Sequence, residues 1–246
     1  MPIQPMNLDT ATLDGIRVLV HSIRAGGKTH LAGDFLKEES KVGPVAYINT
    51  AGEGFMTIQS IGLGNVMYRV TSLKEYNEVI ASFVAKPLHA IAVDSAQILE
   101  QFCMWDVMGT DKRSPMSTKE KNEWVDINRE FYNALRQTCK AAKMFFMTAP
   151  SAINADPITG AAKMISPDLI GQRALGIAGS FEFVGYIKLL AKGGGNVERS
   201  IQFAPDGVTL VRQQSPKPIT ADIKLPQVGG WAAVKSAIIN GLTESK

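Results

Sequence analysis

A chain of 246 residues is long enough for one α/β domain with a full apolar core, or for two small domains. At 45% hydrophobic and 20% charged residues the composition is that of an ordinary globular protein, and no apolar run reaches the roughly 18 residues a membrane span needs. The net charge of +3 is too small to announce a polyanion binder, but it is uneven: from Lys188 onward 8 Lys/Arg face 4 Asp/Glu, against 18 and 19 before it, so the C-terminal quarter is either a solvated basic surface or a face for phosphates.

The first 14 residues, MPIQPMNLDTATLD, hold neither a basic nor an apolar signal region and read as an N-terminal arm. Apolar runs then alternate with helical patterns, which argues for parallel βαβ units. Strands are expected at 16–21 (IRVLVH), 45–49 (VAYIN), 66–70 (VMYRV), 89–94 (HAIAVD) and 143–148 (KMFFMT). Helices are expected at 28–40, 73–85, 95–105 and 122–141. The last is the clearest, because Trp124, Ile127, Phe131, Leu135 and Thr138 recur at three- and four-residue spacing, with Asn122 as a candidate cap. Residues 151–172, broken by Pro and Gly, read as a long surface loop. Beyond them come strands at 181–190, 199–204 and 207–212, separated by the turn segments 192–196 and 205–207, and a helix at 230–241. Cys103 and Cys139 read as reduced thiols, so a cytoplasmic protein is expected.

The stretch Ser22-Ile23-Arg24-Ala25-Gly26-Gly27-Lys28-Thr29 joins the first strand to the first helix, the layout of a phosphate-binding P-loop. Its chemistry needs glycines that let backbone N–H groups curl around a phosphate, a lysine for the β/γ oxygens and a Ser or Thr hydroxyl for Mg²⁺. Gly27, Lys28 and Thr29 meet the second half of that requirement. Ser22 stands where the first glycine is usual and Ala25 where a further one is frequent, with Gly26 expected to add freedom beside Gly27. Ser22, Ala25, Gly26, Gly27, Lys28, Thr29 and His30 form the expected nucleotide-binding set. Asp94, ending the strand Ala90-Ile91-Ala92-Val93, reads as the residue that holds the metal through water, as a cap of the next helix, or as both at once. Glu53, in a glycine-flanked turn after the second strand, is either the base that polarises a water or a solvated turn residue. Lys28, Glu53 and Asp94 are the catalytic candidates, Thr29 and Asp94 the metal candidates, and ATP with Mg²⁺ the expected cofactors.

In this order, and with Pro167-Asp168-Leu169-Ile170-Gly171 ahead of a β-rich end containing Arg199, these features resemble the phage-encoded RecA-like ATP-binding proteins, a family that includes ATPases assisting single-strand annealing. The resemblance covers residues 16–215. It implies a RecA-like P-loop NTPase fold, with a mostly parallel central sheet flanked by helices and a C-terminal antiparallel β extension, in a single domain: arm 1–14, core 15–180, extension and terminal helix 181–246. It also implies a role for Thr148 in sensing the γ-phosphate, and a homo-oligomer acting on single-stranded DNA with phage recombination or replication proteins. The segments 106–121, with Lys112, Arg113, Lys119 and Lys121, and 150–172, with Lys163 and followed by Arg173, would face DNA or remain solvated loops. Lys192, Arg199 or Arg212 would reach a neighbouring subunit's phosphates. The family often reads Asp-x-Glu where this chain has Asn49-Thr50-Ala51, so the rivals are a non-hydrolysing nucleotide switch and, with no Arg-rich lid visible, a nucleotide kinase.

Overall fold

The computed structural model describes residues 15–109, 121–170, 173–192 and 197–242. They build a ten-stranded sheet whose main path runs β10-β8-β7-β1-β5-β4-β2-β3. The strands are β1 (Arg17–Ser22), β2 (Val45–Asn49), β3 (Met67–Arg69), β4 (Leu88–Asp94), β5 (Ala142–Ala155), β6 (Ala162–Pro167), β7 (Phe183–Ala191), β8 (Val197–Gln202), β9 (Arg212–Gln213) and β10 (Ile223–Leu225). From β7 to β3 every neighbouring pair on this path is parallel, whereas β8 and β10 continue the sheet antiparallel. The mostly parallel sheet and its antiparallel C-terminal strands were both expected.

The parallel strands are apolar on both faces because helices cover both. Along β1, Val18 and Val20 face one layer and Leu19 the other. The first layer contains α1 (Lys28–Glu39) and α7 (Gly230–Leu242), with Leu31, Phe35, Trp231 and Val234. The second contains α3 (Leu73–Val84), α4 (Ala96–Met108) and α5 (Lys121–Ala141). The expected α5 stripe faces that layer, since Ile127, Phe131, Leu135 and Thr138 are buried. Asn122, expected as the cap, instead lies inside the first turn of α5. A short α2 (Phe55–Ser60), which no periodic pattern announced, follows β2, and α6 (Arg173–Gly176) precedes β7.

Two further expectations change. Residues 151–172 are not one long loop: β5 continues to Ala155 and β6 returns antiparallel, pairing Ser151 with Pro167 and Ile153 with Ile165. The turn closes because the Asp156 carboxylate accepts the N–H groups of Ile158 and Thr159 and Gly160 takes the left-handed φ of 70°. The expected strand 207–212 shrinks to a bridge between Thr209 and Ile165 and the two residues of β9. There the Asp206 carboxylate captures the N–H groups of Val208 and Thr209, so a side-chain turn competes with the ladder. Both cysteines are free thiols, Cys103 buried and Cys139 partly so, and burial pushes both thiols up.

Candidate functional site

Ser22, Asn49 and Asp94 end three parallel strands and Thr148 lies level with them midway along β5, since Asn49 is in register with Asp94, Val93 with Met147 and Val20 with Thr148. In open parallel sheets this edge is where ligands bind, because loops and helix N-termini converge there.

The loop from Ser22 to Lys28 turns through two left-handed residues, Ala25 at φ 59° and Gly27 at φ 87°, the latter immediately before α1. Gly26 is not left-handed; it is needed for space. A Cβ there would collide with Ser22 Oγ and lie 2.8 Å from Ser22 Cβ. The serine at the first position thus imposes the glycine at the fifth, which corrects the expectation that Gly26 supplies freedom. Ser22 is fully buried, and its hydroxyl donates to the Ile23 carbonyl at 2.9 Å. Lys28 folds back over the loop: Nζ donates to Ser22 O at 3.1 Å, Ser22 Oγ at 3.2 Å and Ile23 O at 3.0 Å. Burial lowers the Lys28 pKa, and the Asp94 carboxylate acts in the opposite direction.

Asp94 gathers three hydroxyls. Its Oδ2 accepts from Thr29 Oγ1 at 2.7 Å and from Tyr47 Oη at 2.7 Å, while Oδ1 accepts from Thr148 Oγ1. The helix-cap alternative does not hold, because Ser95 is the residue before α4 and Asp94 spends both oxygens on the cluster. Tyr47 was not singled out from sequence. Its signal was a phenol within the apolar run Val45-Ala46-Tyr47-Ile48, since a buried hydroxyl must find a partner. Burial and the neighbouring carboxylate push that phenol far up, so it remains a donor.

Asn49 closes the turn after β2: its Oδ1 accepts from Gly52 N at 2.8 Å and its Nδ2 donates to Glu53 O at 2.9 Å. Glu53 is exposed, but its neighbour Gly54 packs on Thr29, where a Cβ would lie 2.8 Å from Cγ2. His30, in the first turn of α1, sits 3.5 Å from Asp34 Oδ2. His21, just before Ser22, is fully buried between β1, β5 and the segment before β9. Its Nε2 must be the donor to Leu210 O at 2.8 Å, because a carbonyl only accepts, so Nδ1 accepts from Ser151 Oγ at 2.9 Å.

The cationic candidates scatter. Lys112, Arg113 and Lys119 lie outside the described residues, and nothing is described of the Lys121 side chain. Lys163 pairs with Asp156 on the β5–β6 hairpin at 2.9 Å, and Lys192 with Glu198 at 3.4 Å. Arg212 donates to Ala178 O at 3.1 Å. Arg173 is buried against Glu100 and Asn128 with Trp124 over its guanidinium, so it braces α4, α5 and α6 and has no surface to offer DNA. Arg199 lies over Gly27 of its own chain: a Cβ on Gly27 would collide with Nη1.

The donor set suits a magnesium–phosphate group. Thr29 and Asp94 offer hard oxygen donors side by side and Lys28 a cation at the start of α1, so these residues could hold such a group. No family model and no curated protein sequence matches the chain.

Proposed function

We propose that this chain is a Mg²⁺-dependent, RecA-like ATP-binding protein of phage type that acts on single-stranded DNA during recombination or replication. The observation that carries this reading is the Thr29 hydroxyl on the Asp94 carboxylate at 2.7 Å, next to a lysine whose ammonium folds onto its own loop. A metal-binding pair needs both oxygens at one place, and a phosphate-binding lysine needs to lie on the loop that would hold the phosphate. The strand order, with β1 between β5 and β7, supports the reading by putting this loop at the centre of the sheet edge.

Lys28 and the backbone N–H groups at the start of α1 would hold the phosphates, Thr29 the metal directly, and Asp94 the metal through water. Bound Mg²⁺ would supply charge neutralisation on the phosphate oxygens. Thr148, whose hydroxyl donates to the other oxygen of Asp94, would register a change at that carboxylate. A second reading, a switch that binds nucleotide without turnover, draws on one observation. The strand end offers the amide Asn49 instead of an acid, and the only carboxylate in that turn, Glu53, is exposed.

Titration calorimetry on the Lys28→Ala variant tests the binding claim. Loss of at least tenfold in Mg·ATP affinity is expected from removal of the phosphate-paired charge, and unchanged affinity would overturn the assignment. Turnover measured with and without single-stranded DNA separates the ATPase from the switch. DNA-stimulated hydrolysis supports the first reading, and tight binding with none supports the second.

A further inference from the structure

Resting on the nucleotide-binding reading, we infer that Arg199 is a phosphate-binding residue of its own chain's site, completing from β8 the cationic cradle that Lys28 begins. Three observations carry this. The first is position: the guanidinium Nη1 fills the space a Cβ on Gly27 would need, and Cδ and Cζ come within 3.5 Å of that point. Gly27 precedes the first residue of α1, where unpaired helix N–H groups favour an anion.

The second is charge. Every neighbouring lysine on this part of the sheet has a carboxylate: Lys188 has Asp222, while Lys192 and Lys224 share Glu198. Arg199 has none among the described residues. Its recorded hydrogen bond is Nη2 to the Pro226 carbonyl at 3.2 Å, which leaves guanidinium donors for a ligand.

The third is the brace. Arg199 sits between Leu189 on β7 and Leu225 on β10 in the antiparallel ladder, and its guanidinium donates to the Pro226 carbonyl. A long cationic side chain is thereby held half-buried against a helix start that already repels cations. A polyphosphate beside Gly27 would complement that placement. The expectation from sequence was that one of Lys192, Arg199 and Arg212 serves a neighbouring subunit. Within one chain Arg199 already lies on the loop.

Calorimetric titration of Mg·ATP and of adenosine into wild type, Arg199→Gln and Lys28→Ala tests the inference, with thermal unfolding of each nucleotide-free protein alongside. Arg199→Gln is expected to lose about tenfold or more in ATP affinity while adenosine affinity stays within about twofold, so the preference for phosphate collapses. A purely structural brace would lower the melting temperature and leave that preference intact, which would overturn the inference. If Lys28→Ala loses ATP and Arg199→Gln does not, Arg199 is excluded while the nucleotide site stands. If neither variant changes ATP affinity, the nucleotide site itself fails, and the inference with it. Should Arg199→Gln not fold, Arg199→Lys decides: an ATP preference within about threefold of wild type supports a charge role, and its loss refutes one.

Discussion

Ser22 and Gly26 are a matched pair, and the match explains how a loop with a serine at its first position still closes. The hydroxyl turns inward, bonds the Ile23 carbonyl and accepts from Lys28, and Gly26 leaves the room it needs. Overpacking in so tight a place costs about 1–3 kcal/mol. Gly26→Ala should therefore destabilise the protein by that amount in urea unfolding, and much less in a Ser22→Gly background, which removes the two nearest atoms and leaves the Ile23 carbonyl at 3.1 Å. Equal costs in both backgrounds would show that Ser22 is not what excludes a side chain at 26.

At the scale of elements, one buried carboxylate fastens the terminal helix to the helix of the candidate loop. Glu39, at the end of α1, accepts from Trp231 Nε1 and Lys235 Nζ, both at 2.9 Å, through Oε1, and Oε2 lies 2.9 Å from His89 Nε2. Burial raises its pKa, but these partners outweigh burial and hold the carboxyl below its usual range. Trp231 also packs edge-on to Phe35 and Phe146. Trp231→Ala should cost about 3–5 kcal/mol, the range for emptying an aromatic site in a core, as read from the midpoint of denaturant unfolding. A change under about 1 kcal/mol would mean that α7 is not integral to the fold. The further link from Gly230 N to Asp34 Oδ2 at 2.8 Å means that undocking α7 would also disturb α1.

Across the whole molecule, His21 joins the strand that feeds the candidate loop to the β5–β6 hairpin and to the segment before β9. Burial lowers its pKa from 6.5 to about 4; Lys28 adds to the effect and the Leu210 bond works against it. The folded-state value is the depressed one, so between pH 6.5 and 4 the unfolded chain binds a proton that the folded chain refuses. Stability is therefore lost as pH falls through that window, by up to about 3 kcal/mol from this group. His21→Asn keeps an acceptor but does not titrate. The stability advantage of wild type over this variant should shrink between pH 7 and pH 4, measured by urea unfolding at each pH. A gap that does not change with pH would show that His21 is not the titrating group.

The sequence by itself determined the parallel strands and the helices α1, α3, α4, α5 and α7, because strands buried on both faces must be continuously apolar and covering helices must be striped. It also marked Lys28 and Thr29, since strand, glycine turn and helix start are neighbours along the chain, and Asp94, since a carboxylate ends an apolar strand there. The tertiary structure alone decided which donors meet Asp94, because Thr29, Tyr47 and Thr148 come from different elements and no local period relates them. It decided the β5–β6 hairpin, whose strands hold small and polar residues that resemble loop until the ladder pairs them. It placed Arg199 on Gly27 because the antiparallel addition of β8 to β7 and β10 sets where that side chain falls, and pairing partners across a sheet are a choice of global packing that no short stretch encodes.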